Sequence, residues 1–194
     1  GKGQEKRNIS VLLGGVINDE TLWSCTTCGA CEEECPVMIE YVNKIVDLRR
    51  GLVLMENRYP SEFINVFKSL ETQSNPWGFG RNTRSDWAKE LDVKIWDKNN
   101  PTEYLYFVGC NGAFDDRGKK IAESVVHSLR SAGVDFSILG NDEGCTGDPA
   151  RRAGNEYLFD LLASRNAELF KEKSIIKIVT HCPHCFNSLK NEYS

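Results

Sequence analysis

The sequence predicts an α+β or α/β chain in two parts: a small helical unit, then a three-layer α/β cysteine-rich domain on a short parallel sheet. Three observations predict it. Four cysteines crowd into residues 25–35 ahead of a stretch with helical periodicity. After residue 101, short aromatic and β-branched runs alternate with amphipathic stretches. Four more cysteines follow the ends of those runs.

In the first part, Val37, Tyr41, Ile45, Leu48 and Leu52 recur in steps of three and four, the apolar stripe of a helix. Pro36 suits its first turn, where a missing N–H costs nothing. Further helices are expected at Ser61 to Leu70, with Ser61 as cap, and at Ser85 to Leu91. A polar stretch rich in Asn, Pro and Trp reads as a linker, giving a helical unit at 1–72, a linker at 73–101 and a cysteine-rich domain at 102–194.

In the second part, strands are expected at Tyr104 to Val108, Phe136 to Leu139 and Ile175 to Thr180. Between them, Ile121, Val125, Leu129 and Ala132 mark a helix over 117–132. A second helix should open at Asp148 and Pro149, with Ala153, Tyr157 and Leu161 facing inward. This alternation implies parallel pairing with right-handed crossovers.

Composition excludes several classes. A net charge of −4 with no basic run leaves no footprint for nucleic acid. The longest apolar stretch, 9–17, is interrupted by Ser10, Gly14 and Gly15 and falls short of the roughly 20 residues that cross a bilayer. No secretory leader pattern is visible, so the eight cysteines read as metal ligands or redox groups before disulfides, and the expected setting is the cytoplasm or the cytoplasmic face of a membrane. An opening glycine and a cysteine motif close to the last residue suggest a piece of a longer chain.

Cys25, Cys28, Cys31 and Cys35, followed by Pro36, have the spacing C-x2-C-x2-C-x3-C-P with which bacterial ferredoxins hold [4Fe–4S] clusters. Gly29 gives the loop backbone freedom. These four are the expected cofactor and metal ligands of a ferredoxin-like unit. Cys35 either closes the same cluster or serves a second one paired with a run further upstream. Glu32, Glu33 and Glu34 read as a solvated helix start or as a docking face for a basic partner.

The other four metal-ligand candidates, Cys110, Cys145, Cys182 and Cys185, each follow an expected strand. The carboxyl ends of neighbouring parallel strands share an edge, so these thiols should converge there. Four thiolates suit a cubane or a tetrahedral zinc ion, and a redox neighbour favours the cubane. His181 and His184 flank the last pair as possible hydrogen-bond donors to sulfur. Arg151 and Arg152 could offset an anionic centre, whereas His127 reads as surface.

With Gly-Cys-Asn-Gly-Ala-Phe at 109–114, Glu-Gly-Cys-Thr-Gly-Asp-Pro-Ala-Arg-Arg at 143–152 and His-Cys-Pro-His-Cys-Phe-Asn at 181–187, the chain resembles iron–sulfur oxidoreductases of the heterodisulfide reductase family, those like its D-type subunit. The resemblance is nearest to members associated with electron-transfer flavoproteins, and Asn75-Pro76-Trp77-Gly78 fits it too. It implies an enzyme or electron-transfer piece that takes electrons from a flavoprotein or other redox protein and delivers them to a quinone or disulfide. In that family a ferredoxin run and often a membrane segment lie upstream and a second cysteine-rich repeat downstream, segments that would be partners of this piece. The chain departs from the family at Thr146, where the signature has a second adjacent cysteine. Two other readings stay open: a thiol–disulfide oxidoreductase using Cys182-Pro183-His184-Cys185, and a module whose second site is structural zinc.

Overall fold

The computed structural model describes Leu13 and residues 16–193. The apolar stretch at 9–17 lies largely outside the described residues, and no helix among them is long and apolar enough to cross a membrane. The chain forms two compact units, residues 1–60 with 152–154 and residues 61–151 with 155–194.

The first unit contains helices α1 (Asp19–Ser24), α2 (Ala30–Glu33) and α3 (Val42–Glu56). Asn18 caps α1 by accepting from the Thr21 amide at 2.7 Å. The long helix starts later than the periodicity predicts. Met38 takes a left-handed φ of 54°, and the Ile39 amide donates to the Cys35 thiol, so the chain after Pro36 is a turn and not a first helical turn. Val37 and Tyr41 are accordingly exposed, and α3 buries Val46, Arg49, Leu52 and Val53. Glu32 does more than solvate a helix start. Its Oε1 accepts from the Val42 amide at 2.6 Å, supplying a cap from ten residues upstream.

The second unit opens with α4 (Glu62–Gln73), where Ser61 holds the cap position without a side-chain cap bond. The expected helix at 85–91 is only a 3₁₀ turn, Asp86–Ala88. Residues 73–101, which composition marks as a linker, pack with this unit. Trp87 and Trp96 are buried, Trp87 meets Tyr106 edge-on at 6.4 Å between ring centroids, and the fully buried Asn75 organises its own loop. The Asn75 amide donates to the carbonyls of Gln73 and Phe79 and accepts from the amides of Trp77 and Phe79.

The sheet is parallel, in the order β2–β1–β3, from β1 (Tyr104–Tyr106), β2 (Phe136–Ser137) and β3 (Ile178–Val179). Tyr104 pairs with Phe136, and Leu105 with both Ser137 and Ile178. A helix unforeseen in the sequence, α5 (Gly109–Phe114), follows β1 directly and precedes α6 (Asp116–Ser131). Asp115 caps α6 through the Gly118 amide at 2.7 Å. Its most buried stripe is Gly118, Ala122 and Val126, one position on from the expected one, and Ile121 is exposed.

The expected helix from Asp148 is two helices, α7 (Asp148–Arg152) and α8 (Glu156–Glu172), followed later by α9 (Pro183–Asn187). Asn155 caps α8 and resets its phase, so Leu158, Phe159, Leu162 and Ala163 face the core. Tyr157 and Leu161, expected inside, are exposed for that reason. Leu105 and Phe107 meet Trp96, Leu139 and Cys185 in one apolar cluster beneath the strand ends.

Replacing Asn75 by Ala removes four hydrogen bonds from a site without water access, and should cost about 1–3 kcal/mol in denaturant unfolding. An unchanged midpoint would show that the loop does not depend on this amide.

Candidate metal centres

Residues 25–35 run from the end of α1 through a tight loop and α2 to the segment before α3. Thr27 and Gly29 take left-handed φ angles of 54° and 78°, turning the chain twice within a few residues. Cys28 and Cys31 are exposed, and Cys25 and Cys35 half-buried. Backbone amides point at sulfur here: Thr27 N–H donates to Cys25 Sγ and Ile39 N–H to Cys35 Sγ, each at 3.4 Å. The Ile39 amide, then that of Val37, holds the Cys35 thiol below its ordinary pKa, and the Ala30 amide, then the Thr26 side chain, does the same for Cys28. Arg49 braces the loop from α3. Its buried guanidinium donates to the carbonyls of Leu22 and Cys25 at 2.7 and 2.6 Å and lies 5.1 Å over the Trp23 ring.

The other quartet is built by topology. Cys110 sits in α5 just past β1, Cys145 in the loop after β2, and Cys182 and Cys185 at the start of α9 just past β3. All four line one cavity of about 500 Å³, together with Trp77, Thr146, His181 and His184. The convergence expected from the sequence is therefore the arrangement found. Gly109 makes the approach possible: at a φ of +76°, a Cβ there would stand 2.8 Å from Cys185 Sγ.

The thiols interact in pairs. A hydrogen bond from Cys145 is the main cause that lowers Cys110 to about 7, and one from Cys185 lowers Cys182 to about 6. Cys145 and Cys185, the donors, are pushed up by the same bonds and by burial. Ser74 O accepts from the Cys145 amide at 2.9 Å, and Asn166 donates to the Cys145 carbonyl at 2.9 Å. Tyr193 Oη donates to the Thr146 carbonyl at 2.9 Å, so the Cys145-Thr146 backbone is held from three directions.

Two residues that the sequence did not single out complete the site. Arg84, 2% exposed, reaches Cys110 Sγ with both terminal nitrogens at 3.6 and 3.5 Å and pairs with Glu143 at 2.9 Å. Glu143 also accepts from the amides of Val108 and Gly109, both at 2.9 Å, fixing the turn that delivers Cys110. Glu143 opens the Glu-Gly-Cys-Thr-Gly motif, but Arg84 sits in the presumed linker, where only its partners reveal it. Of the flanking candidates, Arg151 is tied to Glu156 at 2.8 Å and stacks on Phe159, and His184 pairs with Asp148 at 3.2 Å. His127 is exposed on α6, as expected.

Among the described residues, no three His, Cys, Asp or Glu side chains are grouped as a ready site for one metal ion. The donor chemistry in each quartet is nonetheless uniform: four soft thiols, the ligand type that selects iron–sulfur clusters and zinc over hard cations.

Residues 104–190 match the family model described as a cysteine-rich domain. Over 189 residues the chain is 47% identical to the probable iron–sulfur-binding oxidoreductase FadF of Bacillus subtilis, covering 94% of this chain and 27% of that one. It is 44% identical over 187 residues to the EtfAB:quinone oxidoreductase of Syntrophomonas wolfei, covering 94% and 26%. It is 34% identical over 173 residues to the D-type subunit of the dihydromethanophenazine:CoB–CoM heterodisulfide reductase of Methanosarcina acetivorans, covering 87% and 41%. The chain thus spans about a quarter of the length of the first two relatives. No solved structure matches it significantly. Nearly the whole chain is thus similar to iron–sulfur oxidoreductases, and residues 104–190 match the cysteine-rich domain.

Proposed function

We propose that this chain is an electron-transfer segment in which Cys25, Cys28, Cys31 and Cys35 ligate a [4Fe–4S] cluster and Cys110, Cys145, Cys182 and Cys185 hold a second four-thiolate centre. The observation that carries the proposal is the meeting of four thiols from three strand ends in one cavity. Bound at such sites, iron–sulfur clusters supply one-electron redox chemistry. Electrons enter from a flavoprotein-type donor and leave to a quinone or a disulfide. The donor and the quinone are suggested by the relative named EtfAB:quinone oxidoreductase, and the disulfide by the heterodisulfide reductase relatives.

The protein's own residues prepare both sites for anionic sulfur. At the first, amide donors stabilise thiolates on an exposed loop. At the second, the buried Arg84 side chain supplies a full positive charge beside Cys110. Burial works against that charge, but Cys110 and Glu143 outweigh it and hold the guanidinium more firmly protonated than usual. Thr146 offers a hydroxyl where the family signature has a further thiol, so this centre is proposed with four thiolates. A second cubane is preferred to zinc because a redox neighbour makes a redox centre useful.

A second reading has one observation in its favour. Cys182 carries a lowered pKa beside a raised, buried Cys185, the asymmetry a dithiol needs for disulfide exchange. It leaves Cys110, Cys145 and Arg84 without a role.

In the protein reconstituted with iron and sulfide, Cys145→Ala should abolish the second centre's electron paramagnetic resonance signal and spare the first. Loss of both signals, or of neither, contradicts two independent sites. Arg84→Met leaves Glu143 as an uncompensated buried charge and should cost about 3–5 kcal/mol of stability in chemical unfolding. Arg84→Met combined with Glu143→Gln should recover part of that loss, and no recovery would deny the pairing its role.

A further inference from the structure

The cavity shared by Cys110, Cys145, Cys182 and Cys185 is also lined by a histidine with one ring nitrogen left over. His181 precedes Cys182, and its Nδ1 stands 2.8 Å from the Oη of Tyr106, a residue of β1 with no exposed surface. A phenol at neutral pH keeps its proton and has one to give. If Nδ1 were the donor of a neutral ring, that phenol proton would be stranded in the core. Tyr106 therefore donates, Nδ1 accepts, and the ring proton sits on Nε2. A doubly protonated ring also carries a proton on Nε2, so either charge state leaves this nitrogen a donor.

Nε2 is buried and has no hydrogen-bond partner among the described residues. An unpaired buried N–H costs about 1–3 kcal/mol, which a folded chain retains where an acceptor is supplied from outside. The ring has little freedom to turn toward another partner. A Cβ at Gly112 would come within 2.9 Å of Cε1 and 3.3 Å of Nε2, so the imidazole packs directly against the α5 backbone. What the cavity is built to receive, four soft thiols around its wall, brings sulfur as its acceptor.

We infer that His181 Nε2 donates a hydrogen bond to a sulfur atom of the centre held by Cys110, Cys145, Cys182 and Cys185, with Tyr106 as the positioning residue that keeps the proton on that nitrogen. The inference rests on the iron–sulfur reading above. A donor to sulfur stabilises the reduced, more negative state, so it raises the reduction potential of that centre.

The test is a redox titration of the full chain, reconstituted with iron and sulfide and followed by electron paramagnetic resonance. His181→Leu should lower the second centre's reduction equilibrium about tenfold, roughly 59 mV for a one-electron couple. Tyr106→Phe keeps the core volume but frees Nδ1 to take the proton, and should move the potential in the same direction by less. The first centre's potential should stay in place in both. Pulsed measurements with ¹⁵N-labelled histidine should show nitrogen coupling to the second centre that survives His184→Gln. Unshifted potentials in both variants overturn the inference, and so does absence of the coupling in the unmutated protein, even if the variants fail to fold. Iron bound at the second quartet with an unshifted potential removes this inference alone. A second quartet that takes up no iron removes the functional reading beneath it as well.

Discussion

Parallel pairing of three short strands is the constraint on which the second site depends. Each strand contributes only two or three residues, yet the order β2–β1–β3 puts three carboxyl ends on one edge. Cys110, Cys145 and the pair Cys182 and Cys185 follow those ends and meet although more than thirty residues separate each step. Cys110 and Cys185 lie in short helices that start at this edge, and Cys145 in a loop beside them. A register slip would move an entire strand end and take its cysteine out of the cavity.

The two quartets solve the problem of holding thiolates in different media. On the exposed loop at 25–35, solvent and backbone amides carry the charge, and Arg49 serves as a brace on the Leu22 and Cys25 carbonyls. Beside the buried Cys110 the protein supplies the counter-charge itself, through Arg84 in a position locked by Glu143. Glu143 in turn binds the two amides that open the turn into α5, so electrostatics and backbone geometry at Cys110 are one network. Asn166, Tyr193 and Ser74 hold the Cys145-Thr146 segment in the same manner, by its backbone.

Much of this was legible in the sequence. The cysteine spacings, the parallel α/β alternation and the meeting of the second quartet follow from period and topology. What escaped was decided by local competition. The helix expected from Pro36 is displaced because the Ile39 amide binds a thiol and Met38 turns left-handed. The phase of α8 could not be read through the break at 153–155, where Asn155 restarts the count and hides Leu158 instead of Tyr157. Arg84 was invisible because its meaning lies in two partners, 26 and 59 residues away. The stretch around it looked like a linker because its polar residues, Asn75 above all, are spent on satisfying the backbone of a buried loop.

Iron, acid-labile sulfide and zinc counted per chain after anaerobic purification test the central claim most directly. Two four-iron centres predict close to eight irons with matching sulfide and no zinc. Four irons with one zinc would turn the buried site into a structural one, and a chain without iron would contradict the account.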